Sequence, residues 1–205
     1  MNLENYNKKQ LTIDLVKANQ WGLIILIPIS LLYFVPYFFI WSDQFSNGNF
    51  WKNTQSFFKQ YGIFSGFVPF FVLIVGIVLH ELIHGISWAI YAKQGFKSIK
   101  FGILKQMMTP YCHCKEPLLL KHYIIGAIMP AIILGFIPAI IALIMGSFSL
   151  MLFAAFFTMA AIGDFMIIQL IKNENANSWV LDHPSEAGCY ILEEKAMDEV
   201  LHQDN

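Results

Sequence analysis

The chain alternates long apolar runs with short polar stretches. Four runs dominate: Trp21 to Trp41, Phe64 to Ala92, Tyr123 to Met145 and Phe148 to Ile171. About 20 apolar residues in a helix cross the ~30 Å hydrocarbon core of a bilayer, so these runs predict four transmembrane helices. The first is interrupted by Pro28 and Pro36 and has a Trp at each end, where interfacial aromatics belong. It follows a polar stretch and is too long for the h-region of a signal peptide, which marks it as a retained span. At about 1.5 Å per residue the second run outreaches the hydrocarbon core, and must tilt or project. Pro130 and Pro138 predict kinks in the third. Only Gly146 and Ser147 separate the last two, which predicts a tight antiparallel hairpin.

The polar stretches have patterns of their own. Ser42 to Tyr61 is polar with scattered aromatics and is expected along the outer interface. Ser98 to Leu104 alternates Ile99, Phe101 and Ile103 with Ser98, Lys100 and Gly102, a strand period. Met107 to Pro117 supplies the partner strand. The expected fold is an all-α integral membrane protein of about four spans, with a small β-hairpin between the second and third. Residues 1–20 form an N-terminal segment, 21–171 the membrane domain and 172–205 an acidic tail.

Lysines set the orientation, because positive residues stay in the cytoplasm. Lys8, Lys9 and Lys17 precede the first run, six lysines lie between the second and third, and Lys172 and Lys195 follow the fourth. Only Lys52 and Lys59 fall between the first and second. Both termini are therefore expected in the cytoplasm, in a bacterial cytoplasmic membrane. Composition agrees with a membrane protein: 57% of the 205 residues are apolar and 13% charged, against about 25% charged in a soluble domain. A net charge of −1 gives no reason to expect nucleic-acid binding. Every Lys/Arg position is Lys, so no arginine fork is present for bidentate recognition of carboxylate or phosphate. Three cysteines, Cys112, Cys114 and Cys189, do not make a disulfide framework.

The second run carries the candidate chemistry, His80-Glu81-Leu82-Ile83-His84. Ionisable residues in a membrane helix are costly and so are functional candidates. His80 and His84 are four apart and share a helix face, a spacing that suits two imidazoles on one zinc ion with Glu81 as general base. A catalytic zinc site usually has three protein ligands and an open position. Asp164 is the best third ligand, being the one acidic residue in the fourth run. Counted from the cytoplasmic ends of their helices, His84 and Asp164 lie at the same depth, roughly 10–12 Å. Ala160, Ala161 and Gly163 on one helix and Gly85 and Ala89 on the other are small enough for close approach. The bland alternatives are a polar cluster joining helices, and an Asp164 that lines a wet cavity or accepts from a ligand histidine.

Other clusters compete. Cys112-His113-Cys114, with Cys189, offers soft ligands, but Cys-x-Cys lacks the usual two-to-four-residue spacing. A loop packed over the site with reduced thiols is the plainer reading. Asp182-His183-Pro184 reads first as a turn, with a ligand role as the alternative. His122 is expected at the interface and His202 in solvent. Ser87 and Thr158 have no base argued beside them. The hairpin enters the chain directly after the HELIH helix. Its exposed edge could hold an unwound substrate by strand addition, against the alternative of a simple connector.

On HELIHG at His80–Gly85, the β-like segment after it and the aspartate in a later span, the chain resembles site-2 protease type intramembrane zinc metalloproteases. That family's third ligand is an aspartate in an Asn-Pro-Asp-Gly pattern. Here the residues are Ala161-Ile162-Gly163-Asp164-Phe165, without the Asn, Pro or following Gly. From about Leu11 to Ile191 the chain more closely resembles a bacterial family of membrane proteins described as putative zincin peptidases. That resemblance is carried by HELIHG, YCHCKEPL at Tyr111–Leu118, GAIMPAIILGFIPA at Gly126–Ala139, Gly163-Asp164 and DHPSEAGCY at Asp182–Tyr190. It implies a zinc metalloendopeptidase acting on a membrane-anchored protein or peptide. The competing class is a metal-binding membrane protein without hydrolysis: a sensor, carrier or scaffold. A membrane di-iron oxygenase would need more paired histidines than six histidines with one such pair provide.

Overall fold

The computed structural model describes residues 3–104, 109–184 and 186–195. The start of the second predicted strand (Met107 and Met108), His202 and the end of the acidic tail lie outside them. The chain is mostly helical, and four helices are long and apolar enough to cross a membrane: Gln20–Ile40, Phe64–Ala89, Leu120–Met145 and Phe148–Ile171. They match the four apolar runs. Many of their large apolar side chains are exposed, Phe39 at 87%, a surface that soluble monomers avoid.

Contacts divide the chain into two units. The first comprises residues 1–18, 81–129 and 163–205, and the second residues 19–80 and 130–162.

In the second unit, α1 (Leu15–Ile40) keeps Pro28 and Pro36 inside a continuous helix. Then come α2 (Ser42–Ser46), α3 (Asn49–Tyr61) and α4 (Phe64–Ala89) as far as His80. The expected interfacial segment is thus two short helices. Later in the chain, six residues of π-helix (Ala131–Phe136) lead into α6 (Ile137–Met145). Pro138 has no N–H to give the preceding turn, and the wider winding shows in the Ile137 N–H, which bonds Ile132 O. Gly146 takes φ 67° and reverses the chain into α7 (Phe148–Ala160). This is the expected tight hairpin.

The core of this unit packs two tyrosines against small residues. Tyr33 and Tyr37 are buried with Ala139, Ala142, Ala154 and Ala155. Their hydroxyls are satisfied, as an apolar surrounding demands: Tyr33 Oη lies 2.6 Å from Thr158 Oγ1, and Tyr37 Oη donates to Gly146 O at 2.7 Å. Trp41 Nε1 donates to Leu143 O at 2.9 Å, so the turn is tied to α1 at a second point.

The first unit contains more strand than the sequence led us to expect. The hairpin of β2 (Ile99–Leu104) and β3 (Thr109–Cys114) is antiparallel, with Ile99 opposite Cys114 and Phe101 opposite Cys112. A separate four-stranded antiparallel sheet, order β1-β6-β5-β4, corrects the all-α expectation. It joins β1 (Tyr6–Thr12), β4 (Leu118–Leu119), β5 (Trp179–Asp182) and β6 (Gly188–Glu194). The N-terminal segment and the start of the tail therefore pair with each other, Tyr6 opposite Glu194 through Thr12 opposite Gly188. β1 has no period-2 signal, because as an edge strand it is largely exposed. Helix α5 (Leu120–Pro130) follows β4 without a break, and α8 (Ile162–Ile171) runs towards β5. The core combines Trp88, Tyr123, Leu118, Ile171, Val180, Cys189 and Ile191.

Candidate metal centre

The HELIH motif sits in the last third of α4, unbroken through Ala89. His80 and His84 are buried, 8% and 4% exposed, while Glu81 between them is half-buried. Asp164 lies in the first turn of α8, because Ala161 interrupts the fourth apolar helix as a turn. The expected single span is thus α7 and α8 in succession.

His84 is held on two sides. Its Nδ1 is 2.9 Å from Gly126 O. A carbonyl only accepts, so Nδ1 carries the hydrogen and Nε2 presents its lone pair in the neutral ring. That Nε2 lies 3.3 Å from Asp164 Oδ1. The two acceptors are satisfied by a shared positive charge, either a proton on Nε2 or a metal ion between them. The ring face of His84 stacks on Trp88, centroids 5.1 Å apart at 17°. Trp88 stacks in turn on Tyr123 at 5.3 Å and 13°, and its Nε1 donates to Tyr123 O at 3.0 Å.

Two glycines permit these approaches. A Cβ on Gly126 would lie 2.0 Å from Trp88 Nε1, and one on Gly85 would lie 2.6 Å from Phe101 Cζ. Gly85, the last residue of HELIHG, thus admits β2 onto the helix directly after His84. Gly163 was expected to allow close approach, but nothing lies within 4 Å of its Cβ position.

The donor set fits zinc. Ligand atoms from His80, His84 and Asp164 lie within 4.8 Å of one another, the one such group of three or more among the described residues. Two imidazoles and a carboxylate are ordinary catalytic zinc ligands. At ligand bonds near 2.0–2.1 Å, the edge of a tetrahedron is about 3.3–3.4 Å, the separation seen between His84 Nε2 and Asp164 Oδ1. A protein carbonyl on the far ring nitrogen is the usual way a ligand histidine is oriented.

The competing cluster does not converge on an ion. Cys114 donates its thiol to Glu116 O at 3.4 Å and its N–H to Asp182 Oδ2 at 2.9 Å. All three cysteines are free thiols. Burial pushes the Cys114 thiol up to about 11 and the Cys189 thiol up to about 12, away from the thiolate a metal needs. His122 stacks on Tyr91 at 4.0 Å. His183 belongs to a turn, its Nδ1 accepting from Glu186 N at 2.9 Å. Asp182, read with it as a turn, is instead the buried end of β5, and burial raises its carboxyl above the ordinary range. A cleft of about 1410 Å³ lies in the second unit among Phe34, Trp41, Phe57, Val68 and Phe156, and neither HELIHG nor Asp164 lines it.

A family model described as "Putative zincin peptidase" matches residues 73–179. The chain belongs to that family. The match covers just over half of the 205 residues and includes HELIHG, the hairpin and Asp164. The chain matches no curated protein and no solved structure. Membership in a zincin family implies zinc, and the His80, His84 and Asp164 group is where the described residues can hold it.

Proposed function

We propose that this chain is a membrane-embedded zinc metalloendopeptidase of the site-2 protease type, cleaving membrane-anchored proteins or peptides. One observation carries the reading. Ligand atoms of His80, His84 and Asp164 converge within 4.8 Å of one another, with Gly126 O holding the Nδ1 edge of His84 so that its Nε2 stands 3.3 Å from Asp164 Oδ1. His80, His84 and Asp164 are the ligands. Zinc, when bound, acidifies a water molecule and polarises the scissile carbonyl. Glu81 takes the proton from the attacking water and passes it to the leaving amine, so no covalent intermediate is needed.

The hairpin is the substrate platform in this reading. A helical substrate hides its peptide bonds and must unwind, and the edge strand β2 of the two-stranded sheet can pair with the extended stretch. Phe101 and Ile99 of β2 pack at Gly85, which brings the platform beside the motif.

Membrane orientation has support from the four-stranded sheet. It joins a strand before α1, a strand at the start of α5 and two strands after α8. Four crossings return the chain to one side at each of those points, as a shared sheet requires. An odd number would not. The lysine distribution then puts that side, with both termini, in the cytoplasm.

The test begins with zinc per chain in detergent-purified protein. About one ion is expected in wild type and Cys114→Ala, and a loss in His80→Ala and Asp164→Ala. New protein termini in membranes from cells expressing wild type are then compared with those from Glu81→Gln. Zinc retained in Glu81→Gln together with loss of those termini supports the protease. Identical termini in both, with zinc bound, would leave a non-hydrolytic metal protein.

A further inference from the structure

One buried carboxylate has no part in that chemistry. Asp182 ends β5 and is 9% exposed, beside core residues Tyr123, Cys114 and Cys189. Both oxygens are occupied: Tyr123 Oη donates to Oδ1 at 2.6 Å and Cys114 N–H donates to Oδ2 at 2.9 Å. His113 Nδ1 stands 3.6 Å from Oδ2. The carboxylate accepts from both donors, which an apolar residue could not do.

Contacts continue from Tyr123 to the metal centre. The Tyr123 carbonyl receives Trp88 Nε1–H, and its ring stacks on Trp88. Trp88 covers one face of His84. Three residues after Tyr123, Gly126 holds the Nδ1 edge of the same imidazole. The face and the edge of His84 are therefore both set by α5 and Trp88, and Asp182 anchors the start of α5 through Tyr123.

We propose that Asp182 is a positioning residue for His84, acting through Tyr123 and Trp88 to fix the plane of the imidazole. The role rests on His84 being a metal ligand. It would not be found from the motif, because Asp182 lies about a hundred residues away in sequence and outside the matched span 73–179.

Full-length protein in detergent is titrated with zinc alone against a chromophoric chelator, for wild type, Asp182→Asn, Tyr123→Phe and the double variant. Loss of an outer-shell partner typically weakens metal binding by about 10–100-fold. A rise of that order is expected in each single variant, with the double no weaker than the weaker single. The second readout is the His84 Nδ1–H proton resonance of the metal-free protein, which should shift or vanish in both single variants. Tyr123→Phe keeps the ring stack, so it serves if Asp182→Asn does not fold. Wild type without zinc would overturn the metal reading and this role with it. Zinc-binding wild type, with affinity and resonance unchanged in both variants while thermal stability falls, would overturn the positioning role alone.

Discussion

Gly126→Ala tests the packing logic of the site with one methyl group. The new Cβ would lie 2.0 Å from Trp88 Nε1 and 2.1 Å from Cδ1. Carbon contacts are comfortable from about 3.5 Å, so the indole or α5 must move by about 1.4 Å. Trp88 is 5% exposed and stacked between His84 and Tyr123, so it has no open side to move into. Should α5 yield instead, the Gly126 carbonyl leaves the 2.9 Å hydrogen bond with His84. Overpacking costs about 1–3 kcal/mol and a lost hydrogen bond about 0.5–1.5 kcal/mol, together about 1.5–4.5 kcal/mol. Thermal unfolding of the metal-free protein should show this as a lower midpoint. Chelator competition should show zinc affinity down by about 10–100-fold. Adding Trp88→Leu to Gly126→Ala should cost less than the two single losses summed, because the clash is gone. An unchanged midpoint and unchanged zinc affinity in Gly126→Ala would refute the close approach of α5 to Trp88.

Three further outcomes are expected. Gly85→Ala should cost about 1–3 kcal/mol by pressing on Phe101 Cζ, and Phe101→Ala should recover part of it, both read from thermal midpoints. Tyr33→Phe should cost about 1–2 kcal/mol by leaving the buried Thr158 hydroxyl without its 2.6 Å partner, and adding Thr158→Val should offset the loss. Burial raises the folded thiols of Cys114 and Cys189 to about 11 and about 12, above the unfolded value. Their contribution is therefore complete below about pH 8.5 and lost as pH rises through that value towards the folded pKa. The wild-type midpoint should fall more steeply above pH 9 than that of Cys114→Ala/Cys189→Ala, and maleimide labelling of both thiols at pH 8 should be slow until the protein is unfolded.

What the sequence revealed, and what it hid, follows from the range of the interactions. Run length alone marks the four long helices, since each is a local property of about twenty consecutive residues. HELIHG is legible because two candidate ligands and a candidate base lie within five residues, and Asp164 because an acid among apolar residues stands out. The four-stranded sheet was not legible. Its strands pair across most of the chain, as Tyr6 does with Glu194. β1 is polar and exposed, and β4 is two residues long. In none of these does a local period announce a partner.

The support of His84 was hidden for a different reason. Trp88 lies four residues after His84, so the two must share a helix face, but in an apolar run an aromatic residue reads equally well as lipid-facing. What decides the matter is Gly126: only a residue without a side chain lets α5 come near enough for Trp88 to stack and for a backbone carbonyl to reach His84 Nδ1. His84 and Asp164 do come together, but Gly163 meets nothing, so its small size is not what permits the approach. The informative glycines are those whose missing Cβ is filled by a neighbour. Such a glycine is recognised only when its neighbour is known. The candidate histidines are therefore written in the sequence as residue types at short spacing, whereas the orientation of His84 is written in which backbone approaches its ring.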